Sequence, residues 1–172
     1  AIIQRHNLPA YCNYTKHSIL SSLLAKFPEC PKTLLREHYR CHPLIIGYCN
    51  AKFYNNELVI MTEGGDDDQA LVVYKTTAGN HQRGKFNQRE IDVIVNDVVP
   101  AHIPHDTDLT VGVISPYRDQ TDKISRCTTG FQVDTVHKFQ GRERDIIILS
   151  TVANQKNDFV DNANLINVAV SV

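Results

Sequence analysis

Four apolar residues in a row, Ile146-Ile147-Ile148-Leu149, follow Asp145 and run into Ser150. Successive side chains of a strand point to opposite faces, so a strand with one wet face alternates polar and apolar residues. A run without alternation must be covered on both sides, which is the setting of a parallel sheet between helices. Thr110-Val111-Gly112-Val113-Ile114 has the same character, and residues 71–74 and 131–136 read as further buried strands. Between them the apolar period changes. Leu20, Leu23, Leu24 and Phe27 recur at helical spacing, predicting a helix over 18–27 that Pro28 and Pro31 stop. Pro43 suits the first position of a helix reaching about Phe53, and Ile91, Ile94, Val95 and Val98 mark a helix over 87–99 that Pro100 should end. Residues 32–37 read as a short strand, 63–68 as a solvated acidic turn, and Ser115-Pro116 as the cap and first residue of another helix. Strands alternating with helices predict an α/β domain, its sheet mostly parallel and sandwiched between helical layers.

A length of 172 residues suits one such domain and not two. Eighteen Lys and Arg against 19 Asp and Glu leave a net charge of −1, so any nucleic-acid contact must be a local patch. No apolar run approaches the length of a membrane span, and the first residues show no secretory signal. Five cysteines at irregular spacing, with no C-x-x-C pair, argue against a disulfide framework and a zinc ribbon. His38 and His42 flank Cys41 without paired ligand spacing, so no metal site is expected there. The expected setting is the reducing cytoplasm, nuclear residence not being excluded, with no membrane partner.

In a parallel sheet ligands gather beyond the C-terminal strand ends. Three loops are expected there: after Tyr74, at Ser115, and over 137–144. The first contains Gly79-Asn80-His81-Gln82-Arg83-Gly84-Lys85-Phe86, nearly a phosphate-binding loop. Phe86 stands where a Ser or Thr hydroxyl would hold Mg²⁺, and no later strand ends in the Asp of a partner site. A mobile basic loop is the better reading.

Chemistry concentrates elsewhere. In Glu37-His38-Tyr39-Arg40-Cys41-His42-Pro43 a ring able to stack on a base sits beside a guanidinium able to grip phosphate. On spacing alone the favoured reading of the same two residues is a core aromatic and half of a surface ion pair. Around the strand pair, Thr135, His137, Gln140 and Glu143 crowd polar groups beside Gly141, whose missing Cβ permits positive φ or close approach of a ligand. Such groups suit phosphate, sugar hydroxyls or a nucleic-acid backbone. A charged turn between buried strands is the plainer alternative. Ser115-Pro116-Tyr117-Arg118 offers a helix start with an anion-binding character.

Taken in order, these segments resemble the second RecA-like motor domain of superfamily-1 helicases, of the branch containing the nonsense-mediated-decay RNA helicase and the DNA-replication helicase-nucleases. REHYRCHPLI, with the later FYNNEL, resembles motif IV; VGVISPYRDQ resembles motif IVa; VDTVHKFQGRERDIIILS resembles motif V; NLINVAVS resembles the start of motif VI. The resemblance implies a RecA-like three-layer fold and ATP-driven movement along single-stranded DNA or RNA. It implies that Tyr39 stacks on adenine and that Arg40 is a catalytic finger on the γ-phosphate. Gln140, Gly141 and Glu143 would complete the ATP contacts. Ser115, Pro116, Tyr117, Thr135 and His137 would face the single strand. ATP and strand would then share one sheet edge.

The motif VI arginine would follow Ser171, and the Walker motifs belong to a first RecA-like domain. Residues 1–31 are therefore expected to be the tail of that domain or a linker, and 32–172 a second domain cut within motif VI. ATP and Mg²⁺ would be held chiefly by the first domain, which is also the expected protein partner. The chain by itself is expected not to hydrolyse ATP. Two other readings stand beside this one: a RecA-like module that binds nucleic acid or protein without motor activity, and a kinase built on Gly84-Lys85.

Overall fold

The computed structural model describes residues 5–65, 69–104 and 106–171. The chain divides into two compact units, Ala1–Leu35 and Arg36–Val172. The first contains a 3₁₀ turn, Ala10–Cys12, and helix α1, Ile19–Lys26. Ser18 caps α1 reciprocally: its hydroxyl accepts from the Ser21 amide at 3.2 Å, and its own amide donates to Ser21 Oγ at 2.8 Å. No residue of α1 is buried, because so short a unit cannot enclose a core.

In the second unit, β1 (Glu37–His38) pairs in parallel with β2 (Val59–Ile60). Between them runs α2, Pro43–Phe53, with Pro43 in its first turn as expected. The predicted strand over 32–37 shrinks to β1, since only Glu37 and His38 find partners, at Val59 and Ile60. Cys41, Ile46 and Cys49 form a small core there. Burial, and secondarily the neighbouring Cys41 sulfur, push the Cys49 thiol up to about 11. Burial likewise raises Cys41, so both thiols stay protonated at neutral pH.

The main sheet has the order β6-β5-β7, all parallel: β5 is Val111–Ser115, β6 Gln132–Thr135 and β7 Ile146–Leu149. Every residue of central β5 is buried, as its unalternating pattern requires. On one face Val113 and Ile148 pack against Ile91, Ile94 and Ile124. On the other Ile114 and Ile147 meet Val136, Phe139, Leu165 and Ala169. The three-layer α/β/α architecture is thus present, with α3 (Gln88–Val93) and α5 (Arg118–Cys127) on the first face. Helices α6 (Val136–Phe139) and α7 (Ala163–Val170) cover the second.

Three local expectations are corrected. Residues 71–74 form no strand: Val73 is 85% exposed and the Tyr74 hydroxyl is bonded to His102 Nε2 at 2.7 Å. β-propensity needs a neighbouring edge, and this segment pairs with none. Pro100 does not end its helix. Past α3 the backbone widens into a π turn, Ile94–Val98, and continues as α4, Val99–His102. The wide turn, in which the Val99 amide donates to Ile94 O, relieves the clash that proline makes with the preceding turn. Finally, the segment with the phosphate-loop spacing carries regular structure and forms no phosphate cradle. It is a two-residue hairpin, β3 (Gln82–Arg83) against β4 (Phe86–Asn87), with Gly84 at φ +60° in the turn. The acidic segment at 63–68 lies partly outside the described residues; the part within them, 63–65, has no regular structure.

Candidate functional site

Arg40 leaves β1 just ahead of α2, and its direction is set by a turn that His38 closes. The Cys41 amide donates to His38 Nε2 at 2.9 Å. Burial, and secondarily the Arg40 charge, lower the His38 pKa. Protonation would convert that acceptor into a donor facing the amide. Since the folded pKa lies below the unfolded 6.5, this contribution to stability is complete above pH 6.5 and is lost as pH falls through the folded value. The expected result is a Tm that drops between neutral and mildly acid pH and drops less in His38→Gln, read by thermal melts across that window.

The Arg40 guanidinium spans to motif V. Its Nη2 donates to the Arg142 carbonyl at 3.1 Å, and its Nε pairs with Glu143 Oε1 at 3.0 Å. Gly141 supports this loop at φ +79°, a conformation costly for any residue with a Cβ. Arg40, Cys41, His42, Glu143, Arg144 and Asp145 line a cavity of about 360 Å³, together with Ile45 and Thr110. Asp145 braces its floor, Oδ2 accepting from the Thr110 amide at 2.7 Å and hydroxyl at 2.6 Å. Those two bonds hold the Asp145 carboxyl below the usual range.

Tyr39 neighbours this cavity in sequence but is absent from its lining. It is 64% exposed, and its hydroxyl donates to the Glu37 carboxylate, which raises its pKa. Gln140 is exposed at the end of α6. The structure therefore brings Arg40 and Glu143 together beside Gly141, and leaves Tyr39 outside the cavity lining, exposed and bonded to Glu37.

The expected strand-facing residues gather at the other end of the sheet. Ser115 is paired with Thr135 across β5 and β6 at their C-terminal ends, whereas Thr110 and Asp145 precede β5 and β7. Five residues of strand put about 16 Å between the two groups. The expectation of one shared sheet edge is corrected: the backbone turns back over α6, so the Gly141 loop returns to the N-terminal edge before β7 begins. Ser115 does not cap a helix either. It is the last residue of β5, fully buried, and its Oγ accepts from the Tyr117 amide at 3.4 Å; Tyr117 is the cap of α5. Pro116 is buried too. Tyr117 is half-buried against Phe159, ring centroids 5.3 Å apart, and His137 is exposed on α6. Thr135 opens onto a second cavity of about 200 Å³ that Arg118, Thr121 and Lys138 also line.

The Thr110–Asp145 clasp escapes sequence reading, because its partners are 35 residues apart and neither belongs to a spacing pattern. Among the described residues no three His, Cys, Asp or Glu gather as a metal site, and no helix is long and apolar enough to cross a membrane.

A family profile described as an AAA domain matches residues 15–171. The helicase-named mov-10-B.1 of Danio rerio is 28% identical over 81% of this chain and 18% of its own length. The 5'-3' DNA helicase ZGRF1 of Mus musculus is 28% identical over 80% of the chain and 8% of its own length. The DNA polymerase alpha-associated DNA helicase A of Saccharomyces cerevisiae is 27% identical over 80% of the chain. The chain spans 26% of that last protein, so it corresponds to a small part of each relative.

Proposed function

The chain belongs to the superfamily-1 helicases, and from that premise we propose that residues 32–172 are the second RecA-like motor domain of an ATP-dependent DNA or RNA helicase. One observation carries the reading. A guanidinium from motif IV and a carboxylate from motif V, far apart in sequence, meet at 3.0 Å on the wall of one cavity. The chain lends this cationic tip to a triphosphate that the first motor domain would hold with Mg²⁺.

The donor set fits a phosphate. Arg40 presents a planar fork, Arg144 adds a second cation, and both line an open cavity. The Arg40–Glu143 pair is only a loose latch, because the two side chains are 35% and 75% exposed and such pairs contribute about 0–1 kcal/mol. A phosphoryl group in a closed cleft would outcompete Glu143 for the guanidinium. When bound, ATP supplies the energy; the chain's residues supply charge and direction. Tyr39, exposed beside Arg40, is the platform for the base, and Gln140 and Gly141, just ahead of the Arg142 carbonyl and Glu143 that Arg40 touches, would complete the nucleotide contacts.

Thr135, His137 and Tyr117 form the strand-gripping end, with Ser115 and Pro116 shaping the turn behind them. The two ends are joined by the short rigid strands β5 and β7, so closure at one edge can be felt at the other as a rigid-body shift. The test is strand-dependent ATP hydrolysis and unwinding of a tailed duplex by the intact protein containing this chain. Stimulation of hydrolysis by single-stranded polynucleotide is expected. Strand binding without any stimulated hydrolysis would replace the motor reading with that of a binding module.

A further inference from the structure

Val152 follows β7 by three residues and has φ +68°. The other described non-glycine residues with positive φ are all asparagines, which tolerate it; a β-branched residue does not. The Ala153 amide donates to the Thr151 carbonyl at 2.8 Å, closing a γ-turn around Val152 of the strained, positive-φ kind. Glycine would adopt this turn without a Cβ clash, yet a fully buried valine stands here.

The turn is held from three directions. Glu90 Oε2 accepts from the Ser150 hydroxyl at 2.6 Å and from the Val152 amide at 3.0 Å. The Asn87 side-chain amide donates to the Val152 carbonyl at 3.2 Å. Gln120, wholly buried, donates to Ser150 Oγ at 2.8 Å and accepts from the Asn87 amide at 2.9 Å. Both backbone polar groups of Val152 are thus claimed by side chains at the start of α3, and Gln120 ties them to α5. Neutral donors alone satisfy the Glu90 carboxylate; among the described residues it pairs with no cation.

Such a clamp is more than a sheet terminus needs. Strained backbone fixed by converging side chains marks a place where the conformation itself is used. Its location gives the use. The Ser150 amide donates to the Ile114 carbonyl at 2.9 Å, which places Ser150 at the same C-terminal edge as Ser115 and Thr135. The next residue, Thr151, is exposed. We propose that Glu90 is a positioning residue that locks the Val152 turn, and that the locked turn presents the Thr151 hydroxyl and amide to the sugar-phosphate backbone of a bound single strand. This deepens, and rests on, the strand-gripping role proposed for the Thr135 edge.

The experiment titrates the chain with fluorescein-labelled oligothymidylate or oligouridylate, read by anisotropy, alongside amide exchange at Val152. Thr151→Ala should weaken binding about tenfold, the cost of one hydrogen bond to a charged group. Glu90→Gln should accelerate exchange of the Val152 amide and weaken binding about as much, and the double variant should lose no more than either single one. Residues that never touch couple in this way only through the turn. Wild-type binding with Thr151→Ala unaffected would overturn this inference alone, and that exposed substitution folds whether or not Glu90→Gln does. Additive losses would equally overturn the positioning role. No binding by the wild-type chain to either oligonucleotide would overturn the strand-gripping reading and the inference with it.

Discussion

Strand-stimulated ATP hydrolysis by the intact protein is expected to fall about 10³-fold or more when Arg40 is replaced by alanine, the scale on which arginine fingers act. Single-strand affinity and thermal stability should stay at wild-type levels. The separation follows from geometry. Arg40 shares its cavity with Thr110 and Asp145 at the N-terminal edge of the sheet, about 16 Å of strand rise from the Ser115–Thr135 pair, so the end proposed to face the strand should keep its contacts. Its partner Glu143 is 75% exposed, so the lost ion pair removes little stability. Lysine at this position keeps the charge but not the two-pronged donor geometry, and should recover only a small part of the rate. Wild-type turnover in Arg40→Ala would show that the guanidinium serves the Gly141 loop and not the triphosphate. Equal losses of hydrolysis and strand binding would mean that the two sheet edges are not separable.

Where local chemistry decides a conformation, it could be read from the residues. The apolar period of α1, the leading proline of α2 and the unalternating apolar run of β5 each act within a few positions, and each element appears where those signals put it. Residues 71–74 fail for the opposite reason: a strand is a contract with a neighbour, and sequence does not reveal that none pairs with it. Pro100 shows a subtler limit. Its clash is real, but five residues of π-helical backbone absorb it, and no residue type announces a wide turn.

At the site, the resemblance names Arg40, Gly141 and Glu143 together, and Arg40 and Glu143 do meet, in the loop where Gly141 takes its positive φ. Which sheet edge they occupy was not, since that depends on how far α6 carries the chain back before β7. The Glu90–Ser150–Gln120 network was invisible for the same reason that it is informative. Its members lie 30 and 60 residues apart and converge only once three elements have packed.

Phe139→Ala should be the most damaging single core substitution in the chain, at about 3–5 kcal/mol out of a total on the order of 5–15. Phe139 is fully buried between the sheet and α7, and it stands one residue ahead of Gln140 and the Gly141 turn, so it also anchors the loop that brings Glu143 to Arg40. Thermal melts should show a fall on the order of 10 °C. The ring fills its space so closely that β5 must carry a glycine beneath it. A Cβ on Gly112 would lie 2.5 Å from Phe139 Cζ and 2.8 Å from Ile147 Cδ1. Gly112→Ala should therefore cost about 1–3 kcal/mol by overpacking. The two changes are opposite errors in one cavity, and their combination discriminates. In the double variant the new methyl enters room that the ring has vacated, so the total loss should be smaller than the two single losses added, with the Ile147 contact keeping the relief partial. Strict additivity would mean that something other than the ring keeps a side chain out of position 112.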